Sequence, residues 1–171
     1  MSYPLRLLFA SLLAIYARQA VADELREGLS PPAYIGGHVT QVLSGDTIML
    51  QVAGDSPPGE YRVHLAQIDA PERVQAFGYQ AFLALERVVL FQSVTVLVTA
   101  VDDNHNDPVG QLILEGKDLN LWLVRNGLAW VDRERVLDPR YTRAEHLART
   151  EMRGLWSSAD PTPPWAFRLS N

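Results

Sequence analysis

Acidic residues beside turn-forming residues are the first candidates for chemistry in this chain. Asp46 follows Gly45 in a Ser-Gly-Asp-Thr segment, and Asp69 and Glu72 flank an Ala-Pro pair. Carboxylates are the hard oxygen ligands that calcium prefers, so acids placed at two strand ends could share one cation. Aspartate beside glycine or proline is also common in ordinary turns. On these residues alone, solvated turns are favoured over a metal site.

Other polar and aromatic residues are weaker candidates. Asp102, Asp103, His105 and Asp107 have the ligand types of a second metal site, but their density in one polar stretch favours a solvated loop. The tryptophans do not group on one strand face, as a platform for stacking nucleic-acid bases would require. We therefore expect them to pack the core or to hold the C-terminal segment; they are Trp122, Trp130, Trp156 and Trp165.

Hydrophobic periodicity predicts the elements that would position the acids. Apolar alternation and turn signals indicate strands at 34–43, 47–52, 61–68, 94–98 and 109–114. Apolar residues at helical spacing predict helices at 74–91, 119–126 and 144–155. This order predicts an α+β fold, a five-stranded antiparallel barrel of the OB type with three helices.

Five motifs in order resemble the thermonuclease, or staphylococcal-nuclease-like, family. Ser-Gly-Asp-Thr and the run V-H-L-A-Q-I-D-A-P-E at 63–72 resemble its D-G-D-T and R-L-x-x-I-D-A/T-P-E patterns. D-P-V-G-Q at 107–111 stands in the place of D-x-Y-G-R, and N-L-W-L-V-R-N-G-L-A at 120–129 resembles N-x-x-L-V-x-x-G-L-A. Glu-His-Leu at 145–147 and Leu-Trp at 155–156 resemble the last helix of that family.

The resemblance covers 34–156 and implies a calcium-dependent nuclease site in one domain. In that family carboxylates hold a calcium ion, a glutamate helps water to attack, and two arginines bind the phosphate. Carried over residue by residue, the metal carboxylates match Asp46 and Asp69. The backbone carbonyl of Ala70 matches a further metal ligand, and Glu72 matches the glutamate.

The resemblance also shows that both expected arginines are replaced. His64 and Gln111 stand at the arginine positions, and Ser44 stands where the first aspartate of D-G-D-T is expected. One arginine that stabilises phosphoryl transfer contributes about 10³–10⁵ in rate. Glutamine keeps a hydrogen bond without charge assistance, and a histidine is only partly charged near neutral pH. Arg62 shares the strand face of His64, but its displacement of about 6–7 Å along the strand favours a surface ion pair.

The first 22 residues have the pattern of a secretory signal peptide. Arg6 precedes an apolar run of 11 residues at 7–17, and Ala-Val-Ala at 20–22 provides the small residues of a cleavage site. The run is too short to span a membrane, which takes about 20 residues. We expect an exported protein, periplasmic or secreted, whose mature chain begins at Asp23 without stable membrane insertion. An uncleaved anchor or a buried core helix is the alternative.

Two polar segments flank the predicted domain, and the chain as a whole is acidic. Residues 23–33 are predicted to form a lead-in, and 157–171 an irregular, proline-rich tail. The net charge is −5, and removal of the two signal-peptide arginines makes it −7. An acidic protein does not attract nucleic acid at long range, so we expect any DNA or RNA binding to be weak. We also expect a monomer.

These observations support two functional hypotheses. The first is an exported nuclease that hydrolyses phosphodiester bonds of nucleic acid with calcium and is impaired by the loss of both arginines. The retained carboxylates favour it. The second is a non-catalytic thermonuclease-like module that binds a protein, a nucleic acid or calcium. The missing arginines and the acidic charge favour the second.

Overall fold

The computed structural model of this chain describes residues 32–52, 59–102 and 105–170. The predicted signal peptide, nearly all of the predicted lead-in, and Asp103 lie outside these residues. Within the described part, no helix is both long enough and apolar enough to cross a membrane.

Five strands close into the predicted barrel, but the closing pair is parallel. The strands are β1 (Ala33–Val42), β2 (Thr47–Val52), β3 (Gly59–Leu65), β5 (Ser93–Val101) and β6 (Pro108–Leu114). They lie in the order β3-β2-β1-β5-β6 with antiparallel neighbours, and β3 also pairs with β6. That pairing is parallel. An odd number of alternating strands puts the first and last in the same direction, so the barrel is mixed rather than wholly antiparallel.

Three short strands lie outside the five-stranded barrel. They are β4 (Ile68–Asp69), β7 (Lys117–Asp118) and β8 (Trp130–Val131). Strand β7 pairs with β6, whereas β4 and β8 form a separate antiparallel pair in which Asp69 lies opposite Trp130. The single strand predicted at 61–68 is divided into β3 and β4. The cause is Gln67, whose φ of 67° interrupts the extended backbone.

The described residues contain four helices rather than the predicted three. They are α1 (Gly78–Val89), α2 (Leu119–Arg125), α3 (Pro139–Thr150) and α4 (Pro164–Ser170), with a 3₁₀ turn at Gly154–Ser157. Helix α4 falls in the tail that was predicted to be irregular. Proline occupies its first position, where the absent N–H has no helical partner and the fixed φ suits a helix start. The prolines of the tail therefore indicate the start of a helix here, not the irregular segment that was predicted.

Two helix boundaries differ from the predicted ones for local reasons. Helix α1 begins at Gly78 because Phe77 has a left-handed φ of 65°. Helix α3 begins at Pro139, earlier than predicted, because the Asp138 carboxylate accepts a hydrogen bond from the Arg140 backbone N–H at 2.8 Å. The predicted 144–155 helix ends at Thr150, and Met152 follows with a φ of 51°.

A second apolar cluster joins the barrel to the C-terminal segment. Trp130 and Trp156 pack edge to face with ring centroids 4.4 Å apart, and Trp165 packs against Trp130 at 5.5 Å. Buried Ala148 and Leu155 belong to the same cluster. These contacts confirm that three of the tryptophans pack the interior or hold the tail. The tail thereby becomes part of the domain.

Candidate active site

One cleft at the end of the barrel contains most of the predicted site residues. Its volume is about 330 Å³, and Asp46, His64, Asp69, Ala70 and Glu72 all line it. The parallel contact between β3 and β6 places the end of β3 next to the start of β6. Residues separated by turns in the sequence therefore meet around one opening.

Asp46 is fixed by hydrogen bonds to both of its carboxylate oxygens. Its Oδ1 accepts from the hydroxyls of Ser44 at 2.7 Å and Thr47 at 3.2 Å. Its Oδ2 accepts from the backbone N–H of Ala70 at 2.7 Å. The last bond ties the β1–β2 turn to the turn that carries Asp69. Ser44, which replaces the first aspartate of the motif, thus acts as a donor to the second.

Two glycines allow the turns of the site to approach α1 closely. A Cβ atom at Gly45 would lie 2.8 Å from the Cβ atoms of both Ala70 and Ala81. A Cβ atom at Gly78 would lie 1.7 Å from the backbone oxygen of Glu72. No side-chain adjustment relieves an overlap with backbone, so glycine at 78 is required to hold the Glu72 turn against the helix start.

The Glu72 turn is also held by a buried glutamine. The backbone N–H of Glu72 donates to Gln75 Oε1 at 3.1 Å, and the Gln75 N–H donates back to the Glu72 carbonyl at 2.8 Å. Gln75 Nε2 donates to the carbonyl of Thr162 at 2.6 Å. One side chain therefore connects the acidic turn to the C-terminal segment.

An arginine that no motif indicated lies between two of the acids. Arg168, on α4, donates to Asp69 Oδ1 from Nη1 at 3.1 Å and to Asp69 Oδ2 from Nη2 at 2.7 Å. Its Nη1 also donates to Glu72 Oε1 at 2.8 Å. Arg135 lines the same cleft and pairs with Asp132 at 3.4 Å. Both arginines come from segments that carry none of the family patterns.

The acids of the cleft share one electrostatic environment. Burial raises the pKa of Asp69 above its ordinary value, and the negative charges of Asp46 and Glu72 raise it further. The hydrogen bond and charge of Arg168 act in the opposite direction without cancelling the rise. A cation beside Asp69 therefore stabilises the ionised form of a carboxylate that burial disfavours.

His64 occupies the cleft at the end of β3. Its Nδ1 lies 3.3 Å from the hydroxyl of Thr47, and its Nε2 lies 3.6 Å from Asp107 Oδ2. The side chain is 40% exposed, so part of the imidazole is accessible from the cleft. Asp107 thus faces His64, whereas Asp102 accepts hydrogen bonds from His105. Each of these two acids therefore pairs with a histidine. They lie in the segment for which a solvated loop was expected in preference to a second metal site.

Gln111 does not line the cleft. Its Nε2 donates to the Asp118 carboxylate, which also accepts from the hydroxyl of Tyr141 at 3.1 Å. Asp118 additionally caps α2 by accepting from the Leu121 N–H at 2.9 Å. Burial, together with the charge of Asp118, raises the pKa of Tyr141. Gln111 is therefore engaged in a structural network, and Arg62, which is exposed, is also absent from the lining of the cleft.

The donor atoms of the cleft fit a hard divalent cation. Asp46, Asp69 and Glu72 offer only carboxylate oxygens, the ligand class that calcium selects. Over the described residues, no three acidic or histidine side chains are as close together as in an assembled metal site. The cation that bridges Asp69 and Glu72 in this structure is the guanidinium of Arg168.

Comparison with known proteins is consistent with this geometry. The profile of the family described as Staphylococcal nuclease homologue matches residues 62–158. An uncharacterized endonuclease of Escherichia coli O157:H7 is 38% identical over 137 residues, which are 80% of this chain and 86% of that protein. The micrococcal nuclease of Shigella flexneri is 34% identical over 172 residues, covering 92% of this chain and 95% of that protein. Protein ParB of Escherichia coli is 34% identical over 151 residues, 80% of each chain.

Proposed function

The chain belongs to the staphylococcal nuclease family, and from this we propose that it is a calcium-dependent nuclease that hydrolyses phosphodiester bonds of DNA or RNA. The observation that carries the proposal is the meeting of Asp46, Asp69 and Glu72 in one cleft. Similar proteins are named endonuclease and micrococcal nuclease. These names support the hydrolysis of nucleic acid as the reaction.

Glu72 is the residue placed to accept a proton from water. Its Oε1 is held by Arg168, whereas its Oε2 has no hydrogen-bond partner among the residues described. The water oxygen forms a bond to phosphorus as the bond to one ester oxygen breaks, and the water proton passes to Glu72. The departing oxygen takes a proton from a solvent water, and Glu72 later returns its proton to solvent. Calcium, held by Asp46, Asp69 and the Ala70 carbonyl, would supply positive charge to the phosphate.

The proposed enzyme is slower than a family member with both arginines. His64 reaches the cleft but offers an imidazole in place of a guanidinium, and Gln111 is bonded to Asp118 outside it. Loss of one charged, forked phosphate ligand costs about 10³–10⁵ in rate when nothing replaces it. The lower rate is therefore attributed to weaker binding of the phosphate, because the acids of the site are retained.

A cleavage assay on single-stranded DNA and RNA tests the proposed function. We expect the purified mature protein to cleave at least one of them with calcium and to stop when a chelator is added. Asp46→Ala should abolish cleavage, whereas Glu86→Gln, which removes a charge on α1 away from the cleft, should not. No cleavage by the parent at any calcium concentration would contradict the nuclease and favour the non-catalytic binding module.

Calcium is expected to stabilise the fold. A ligand that binds only the folded state raises the free energy of unfolding by roughly 2.7 kcal/mol at about 100 times its dissociation constant. The Tm of the parent should therefore rise in millimolar calcium, and Asp46→Ala should remove the rise while Glu86→Gln keeps it. A parent Tm that is independent of calcium would mean that these acids do not bind the ion.

We also propose that the protein is exported and acts outside the cytoplasm. The support is the N-terminal pattern of Arg6, the apolar run at 7–17 and Ala-Val-Ala at 20–22. Expression of the full chain followed by N-terminal sequencing of the exported form should give a first residue of Asp23. Recovery of an exported protein that still carries residues 1–22 would contradict cleavage at this position.

A further inference from the structure

Helix α4 is attached to the domain by contacts that do not involve Arg168. Gln75 Nε2 binds the carbonyl of Thr162 just before the helix. Pro164 is buried at the helix start, and Trp165 packs on Trp130. The backbone that carries Arg168 is therefore positioned by packing, and its side chain extends from a fixed helix to the acids.

The contacts of Arg168 leave one edge of its guanidinium open. A guanidinium has five N–H donors in a planar fork. Nη1 and Nη2 together face the Asp69 carboxylate, and Nη1 also donates to Glu72. The second edge, formed by Nε and the remaining hydrogen of Nη2, has no partner within 32–52, 59–102 and 105–170. The side chain is 49% exposed, so this edge is accessible to a ligand.

Arg168 is better placed for a substrate than the other arginine of the cleft. Arg135 is 78% exposed and pairs with Asp132 on its own loop. Arg168 instead contacts both Asp69, a predicted metal ligand, and Glu72, the proposed base. A phosphate that lies near these two acids lies within reach of the same guanidinium.

We propose that Arg168 is a phosphate-binding residue of this site and replaces one of the two arginines missing at positions 64 and 111. Its open Nε–Nη2 edge binds two oxygens of the substrate phosphate, while the bond from Nη1 to Glu72 orients the base. Arginine suits this role because two parallel N–H donors match the geometry of phosphate oxygens. The inference rests on the proposed nuclease function and deepens it.

The test uses the full mature protein and separates catalysis from binding. Cleavage of single-stranded DNA gives kcat/KM, titration with calcium alone gives the metal affinity, and titration with thymidine 5′-monophosphate in calcium gives phosphate affinity. The variants are Arg168→Ala and Arg168→Lys. Leu169→Ala, which changes the exposed neighbour on α4, and Arg143→Ala, which removes an exposed arginine from α3, are the controls.

We expect Arg168→Ala to lower kcat/KM about 10³-fold and to weaken nucleotide binding about tenfold or more. Calcium affinity should not weaken, because the Arg168 guanidinium no longer competes with calcium for the Asp69 carboxylate. Arg168→Lys should not restore cleavage, since an ammonium lacks the fork. Leu169→Ala and Arg143→Ala should behave as the parent in all three measurements.

Other outcomes separate the failure of this inference from the failure of the nuclease proposal. If Arg168→Ala cleaves DNA as fast as the parent or faster, Arg168 does not bind the substrate phosphate. Its role would then be only to pair with the acids. If Arg168→Ala does not fold, the test is made with Arg168→Lys. A parental kcat/KM in that variant would likewise contradict phosphate binding by Arg168. A parent that binds the nucleotide through Arg168 without cleaving either DNA or RNA would contradict the nuclease proposal alone. No cleavage and no nucleotide binding by the parent would sink both.

Discussion

His64→Arg is expected to raise kcat for cleavage of single-stranded DNA by about 10³-fold, the lower end of what one arginine contributes to phosphoryl transfer. His64 lines the cleft and its side chain is 40% exposed, so a longer cationic side chain at this position starts within the cleft, unlike one at 111. Arginine adds a permanent charge and two parallel donors, which an imidazole does not have. The measurement is kcat at saturating calcium and substrate.

Gln111→Arg is the matched comparison for His64→Arg. The sequence motifs alone predict a gain at both positions, whereas the structure separates them. An arginine at 111 has the Asp118 carboxylate directly beside it, so we expect it to form an ion pair there and to accelerate cleavage much less. A fast parent enzyme that His64→Arg does not improve would show that Arg168 already suffices. The interpretation of an impaired site would then be wrong.

Glu72→Gln is expected to lower kcat by about 10²–10⁴-fold, the usual contribution of a positioned general base. Glutamine has the same length and keeps an oxygen that can accept the Arg168 hydrogen bond. The variant therefore removes the ability to take a proton while the neighbouring contacts remain. Single-turnover cleavage of DNA in calcium measures the chemical step directly.

The matched control for this variant is Glu86→Gln, which also removes one carboxylate and should retain the parental rate. Nucleotide binding by Glu72→Gln should stay close to that of the parent, because Arg168 and Asp69 are unchanged. A Glu72→Gln enzyme that retains most of its activity would exclude Glu72 as the base and leave the acceptor of the water proton to another group.

The C-terminal segment changes the boundary of the functional unit. The predicted domain stops at 156, but Thr162, Trp165 and Arg168 all contact the barrel domain or its acidic turn. The family profile ends at 158, before α4 begins at Pro164. A boundary drawn at the last motif would leave out the arginine that pairs with Asp69 and Glu72 and lines the same cleft.

The sequence alone was sufficient for the features that depend on local order. Strand periodicity indicated an α+β fold with mostly antiparallel strands, because alternating side chains report which strand face is buried. The order of five short strands and the helices between them predicted the barrel. The family resemblance carried by the five motifs implied that Asp46, Asp69 and Glu72 belong to one site, and the structure places all three in one cleft. Each of these features depends on short segments of consecutive residues and on their order along the chain.

Only the tertiary structure decided which charged and amide groups face the acids. Arg168 reaches Asp69 across a separation of 99 residues, and no local pattern specifies a contact that depends on the packing of Trp165 against Trp130. Gln111 sits at a motif position, yet its side chain is directed to Asp118, a half-buried carboxylate that also accepts a hydrogen bond from Tyr141. The motif determined where the backbone of Gln111 lies. The direction of its side chain depends on which polar groups the fold brings close to it from distant parts of the sequence.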